Sequence, residues 1–73
     1  MKAGTRVKIV SLHKDDCFYR YLSKIKGLTG TLIAATKTVQ GTHWYRGVYI
    51  ILDKAFMEDE TETIFFQAKL EKI

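Results

Sequence analysis

The chain has no proline, one cysteine and one tryptophan among its 73 residues. Without proline, its turns must rest on Gly4, Gly27, Gly30, Gly41 and Gly47. With Cys17 alone, no intrachain disulfide is possible, which predicts a reducing compartment. No stretch approaches the ~18 consecutive apolar residues of a membrane helix, and the start "MKAGTRVKIVS" has no apolar run of signal-peptide length. These absences predict a soluble cytoplasmic protein with no membrane partner. There is no internal repeat, low-complexity tract or linker, so residues 1–73 are expected to form a single domain.

Catalytic signatures are missing as well. Glu58, Asp59, Glu60 and Glu62 cluster on one polar stretch, without the apolar neighbours that would raise a carboxyl pKa. Cys17 with His13 or His43 would be needed for a thiol–imidazole pair, but an incidental cysteine is the simpler reading. The same three residues lack the paired spacing of zinc sites. Gly27 and Gly30 alone are too short for a phosphate-binding loop. The expectation is a protein without enzymatic activity, metal or small-molecule cofactor.

What is present is alternation. In "TRVKIVS" (5–11), Val7 and Ile9 share one face and Arg6 and Lys8 the other. "TGTLIAATKTV" (29–39) is β-branched enough for a second strand. "HWYRGVYIILD" (43–53) is the longest candidate, with Trp44, Val48, Ile50 and Leu52 on one parity and Tyr45, Tyr49 and Ile51 on the other. Both parities are apolar toward its end, which predicts a bent strand covered on both sides. Gly47 inside it predicts a bulge or sharp bend. "QGT" (40–42) suits a hairpin tip. "ETIFFQ" (62–67) and "LEKI" (70–73) read as fourth and fifth strands, with a 3₁₀ turn over "QAK" between them.

The segment "LHKDDCFYRYLSKIK" (12–26) separates the first two strands. Phe18, Tyr21, Leu22 and Ile25 fall at helical spacing, Asp15 and Asp16 offer N-caps, and Gly27 offers a stop. So short a helix cannot persist without packing, so it must lie on the strands through Phe18, Leu22 and Ile25. The spacing also fits an irregular loop.

"RVKIV" followed by "KGLTGTLIAA" resembles the KOW pattern of SH3-like barrels in ribosomal and transcription-associated proteins. The matching residues are Val7, Ile9, Lys26, Gly27, Thr29, Gly30 and Leu32. The order "GTRVKI", an aromatic insertion, "GTL", a central hairpin and "FFQAKLEKI" is similar to the photosystem I reaction-centre subunit four family. Its matching positions are Gly4, Arg6, Val7, Tyr19, Gly30, Thr31, Phe66, Leu70 and Ile73. Both resemblances imply an all-β fold, a small five-stranded SH3-like barrel, to which residues 12–26 add a long first loop that can hold a short helix. The first implies contact with RNA, and the second docking of electron-carrier proteins.

Charge and aromatics point to binding. Residues 1–54 carry ten Lys/Arg against three Asp/Glu, and residues 55–73 carry two against five. Basic sequence attracts nucleic acid or acidic proteins, although excess lysine also serves solubility. Cations interleaved with aromatic rings suit phosphate pairing and base stacking. Two stretches offer this: Tyr19, Arg20, Tyr21, Lys24 and Lys26, and His43, Trp44, Tyr45 and Arg46. Phe18, Tyr21 and Trp44 also suit a core. The expected contact residues are therefore Tyr19, Arg20, Lys24, Lys26, Tyr45 and Arg46, with nucleic acid as the first expected partner and an acidic protein as the alternative.

Overall fold

The computed structural model describes residues 1–35, 37–38 and 42–73. The strands are β1 (Arg6–Leu12), β2 (Thr29–Ala34), β3 (Lys37–Thr38), β4 (Trp44–Leu52) and β5 (Glu62–Lys72). All pairings are antiparallel. Along the sheet the order is β2-β1-β5-β4-β3, and β2 also pairs with β4. Four strands therefore close on themselves, while the two-residue β3 extends β4. No helix among the described residues is long and apolar enough to cross a membrane.

Closure depends on Gly30. It lies opposite Val7 of β1 and Leu52 of β4, so two strands crowd one residue. A Cβ at this position would sit 2.5 Å from the Ile51 carbonyl oxygen and 3.0 Å from the Leu52 Cα. No side chain has that space, and hydrogen is what allows the approach. Gly27 serves differently: its φ of +91° is the left-handed turn that enters β2, with open space around it.

Val7, Ile9, Leu12, Ile25, Leu32, Tyr45, Val48, Ile50, Leu52, Phe65, Ala68 and Leu70 form one buried cluster. The inward positions do not keep one parity along a strand. In β4 they run Tyr45 and then Val48, Ile50 and Leu52; in β5 they run Thr63 and Phe65 and then Ala68 and Leu70. The β4–β5 pairing stays in step through the switch, from Val48↔Phe65 to Arg46↔Gln67. Both strands thus reverse faces at the same level, where Gly47 has a φ of +57°. β1 reverses too, between Ile9 and Leu12, at a register shift. These coordinated kinks bend the short sheet far enough to close around one core.

Several expectations need correction. The anticipated 3₁₀ turn over residues 67–69 is absent, because the fourth and fifth strands are one continuous β5. Its middle residues pair with both Tyr45 and Leu12, so no turn is needed to change partners. The expected 29–39 strand is interrupted after Ala34. Positions 36, 39, 40 and 41, including most of the expected hairpin tip, lie outside the described residues. Trp44, whose place in core or surface the sequence left open, is half-buried, because the reversal at Gly47 turns Tyr45 inward instead.

One end of the closed sheet is tied by polar groups. Arg6 of β1 donates to Asp53 through both terminal nitrogens, at 2.7 Å from Nη1 to Oδ1. Thr29 Oγ1 of β2 donates to Asp53 Oδ2 at 2.6 Å, and Arg6 Nη1 also reaches Thr31 Oγ1 at 3.0 Å. The hydrogen bond from Arg6, followed by that from Thr29, holds the Asp53 carboxyl pKa down at about 2.

Candidate functional site

The insertion between β1 and β2 folds as a 3₁₀ turn (Tyr19–Tyr21) running into a single helical turn, α1 (Leu22–Ile25). Neither piece has a side-chain cap, so Asp15 and Asp16 do not act as the N-caps expected. Asp16 does something else. It is 4% exposed, and its carboxylate accepts from the Phe18 N–H (2.8 Å), the Phe66 N–H (2.7 Å) and the Gln67 N–H (3.3 Å). Phe66 and Gln67 stand where β5 reverses faces. The reversal sends two successive N–H groups to one side, and a carboxylate with two oxygens can receive them.

Apolar contacts complete the anchorage. The Phe18 ring meets Phe56 and Phe65 edge-on, at 5.6 and 5.7 Å between centroids. Tyr21 lies 6.3 Å from Phe56, and Ile25 is fully buried. Packing through Phe18, Leu22 and Ile25 is as the helical spacing predicted. At its far end the insertion is laced to β1 by Gly27 N–H to Ile9 O (2.8 Å) and Ile9 N–H to Leu28 O (2.9 Å).

These anchors leave one edge in solvent. Tyr19 is 41% exposed, and Arg20, Lys24 and Lys26 are exposed on the same insertion. The Arg20 guanidinium carbon sits 4.9 Å from the centre of the Tyr21 ring, a cation–π contact that holds the head group close to the turn.

The second stretch does not supply what its sequence promised. Tyr45 is 8% exposed and belongs to the core, opposite Ala68, so it offers no ring to a ligand. Arg46 is exposed, as expected. Half-buried Trp44 meets the His13 ring edge-on at 6.4 Å. The ring contacts thus lead the insertion toward Phe56, whereas Trp44 faces the first residue after β1. Tyr19, Arg20, Lys24 and Lys26 are all exposed on the insertion, whereas Tyr45 is withdrawn into the core.

Asp16 was missed as anything beyond a cap, because two of its three partners lie 50 and 51 residues away in sequence. The pairing of Arg6 with Asp53 carried no local signal either. Cys17 is exposed and free. No group of three or more His, Cys, Asp or Glu among the described residues is arranged to hold a metal ion. Comparison with protein-family models, with curated proteins and with solved structures finds no match.

Proposed function

We propose that the chain is a non-catalytic binding module of the SH3-like barrel type, and that it contacts nucleic acid through the outer edge of the insertion. Support for the barrel comes from closure of the sheet, in which β2 bonds to both β1 and β4, and from the long excursion between the first two strands. The unbroken β5 departs from the five-strand plan of the resemblance and merges its last two strands.

The observation that carries the functional reading is an exposed tyrosine and three exposed cations within residues 19–26 of an anchored insertion. Tyr19 offers a face on which a base of any identity can stack. Arg20, Lys24 and Lys26 pair with phosphates and displace condensed counterions. Because Asp16, Phe18 and Ile25 already fix the backbone beneath them, binding orders side chains rather than the chain, which lowers its entropic cost. Tyr45, buried in the core, takes no part in this surface.

The test is titration with single-stranded RNA, single-stranded DNA and duplex at two salt concentrations. Each phosphate that a cation neutralises adds roughly 0.7–0.9 to the slope of log K against log salt. A variant combining Arg20→Ala, Lys24→Ala and Lys26→Ala should therefore show a flatter slope by that amount per phosphate released. Tyr19→Ala should cost about 1–3 kcal/mol for single strands. Affinity weaker than roughly 100 µM at physiological salt is no better than non-specific binding, and would turn the reading toward docking of an acidic protein on the same cations.

A further inference from the structure

We propose a second binding site on the opposite charge, a groove beside β5 that receives an extended peptide segment carrying cationic and apolar side chains. The groove has a volume of about 360 Å³ and is lined by Phe18, Tyr49, Glu60, Glu62, Thr63 and Ile64. That volume falls in the range of ligand pockets. Its lining mixes the rings of Phe18 and Tyr49 and the side chain of Ile64 with Thr63 and two carboxylates. Tyr49 donates its hydroxyl to Glu62 Oε1, which fixes one of them in place and pushes the phenol pKa up.

The backbone of β5 is available along the same groove. Leu52 N–H bonds to Thr61 O, so by the alternation of an antiparallel ladder Thr61, Thr63 and Phe65 direct their backbone groups to β4. Glu62 and Ile64 direct theirs to the other edge. β1 pairs with β5 only over Ala68–Lys72, and Asp16 takes the N–H groups of Phe66 and Gln67. Among the described residues no strand lies against Glu62–Ile64. An incoming extended segment can add there as a further strand, taking affinity from main-chain bonds and specificity from alternate side chains.

Charge complementarity identifies the occupant. Ile64 is 62% exposed and Phe66 57% exposed, two apolar side chains at alternate positions on the outward face of β5. Glu60 and Glu62 precede the pair, with Glu58 and Asp59 just before them, in a chain of net charge +4. An arginine or lysine of the segment lays its aliphatic stem along Tyr49 and Phe18 and places its head between Glu60 and Glu62. The side chain two positions along, on the same face of the added strand, covers Ile64 with its aliphatic carbon. This surface does not depend on the cationic edge proposed above and lies on different residues.

The probe is a fluorescently labelled acetyl-Leu-Arg-Val-Arg-Leu amide, titrated by anisotropy, with backbone amide NMR shifts mapping its contacts. Shifts should concentrate at residues 60–66. Glu60→Gln combined with Glu62→Gln should weaken binding about tenfold, each exposed ion pair giving a factor of a few. Replacing both arginines of the probe by glutamate should abolish binding. Glu62→Gln also alters the Tyr49 contact, so Ile64→Ser with Glu60→Gln, which spares it, should weaken the probe similarly. Unchanged affinity in that second variant, or shifts at residues 19–26 instead, would overturn the proposal. So would a concentration-dependent dimer whose interface maps to residues 60–66, since a second copy would then be the occupant.

Discussion

Replacing Asp16 by alanine should remove most of the stability of this protein. The side chain is almost wholly buried and receives three backbone N–H groups, two of them at 2.8 Å or less. A hydrogen bond to a charged acceptor contributes about 1.5–3 kcal/mol, and a buried donor left without one costs about 1–3 kcal/mol. Two strong bonds and one weaker, with some relief from water entering, put the loss at about 3–5 kcal/mol. A chain of this size has a total of only ~3–5 kcal/mol to lose, so Asp16→Ala should be largely unfolded at 37 °C. Asp16→Asn keeps one acceptor oxygen but turns an N–H₂ toward a donor, and should fall between. Asp15→Ala is the control: its carboxylate is exposed, 3.5 Å from His13 Nδ1, and its loss should change stability by under about 0.5 kcal/mol. Urea unfolding followed by far-ultraviolet circular dichroism measures all three. Asp16→Ala and Asp15→Ala midpoints that coincide would refute the claim that Asp16 holds the insertion to the kink of β5.

The two glycines of the strand-entry turn should separate by mechanism. Gly30→Ala must push apart the backbones of β2 and β4 and should cost well over 2 kcal/mol, whereas Gly27→Ala meets only the strain of a left-handed φ and should cost about 1–2 kcal/mol; equal losses in urea unfolding would contradict the close approach of the strands at Gly30. Asp53 has its folded pKa depressed to about 2, so its contribution is present above the ordinary carboxylate pKa of ~4 and is lost as pH falls through 2. Urea midpoints of the parent and Asp53→Asn, measured from pH 6 to pH 2, should differ at the top of this range and converge at the bottom; a constant gap would show that the Arg6 contact does not set the dependence.

The strands were legible where one face is apolar and the other polar, as in Val7 and Ile9 against Arg6 and Lys8. Gly27 and Gly30 were legible as a turn, although what Gly30 supplies is room between strands. Tyr45 is core rather than surface because a single residue at positive φ, Gly47, reverses every side chain before it relative to those after. Parity counting cannot see such a reversal unless the backbone angle is known. The turn expected over Gln67, Ala68 and Lys69 failed for a related reason. Three polar or small residues look like a break, yet each has a cross-strand partner in β4. Exposure of Tyr19, Arg20, Lys24 and Lys26 followed from the helical spacing that buries Phe18, Leu22 and Ile25. The groove beside β5 was beyond reach, since it joins Phe18 to residues more than thirty positions away.

Backbone amide NMR of the unmodified protein, titrated with a single-stranded RNA oligonucleotide at physiological salt, tests the central functional claim most directly. Saturable shifts are expected at Tyr19, Arg20, Lys24 and Lys26, with Glu62–Phe66 and the buried Tyr45 unmoved. Shifts confined to β4 or to the acidic stretch, or no saturation below roughly 100 µM, would contradict it.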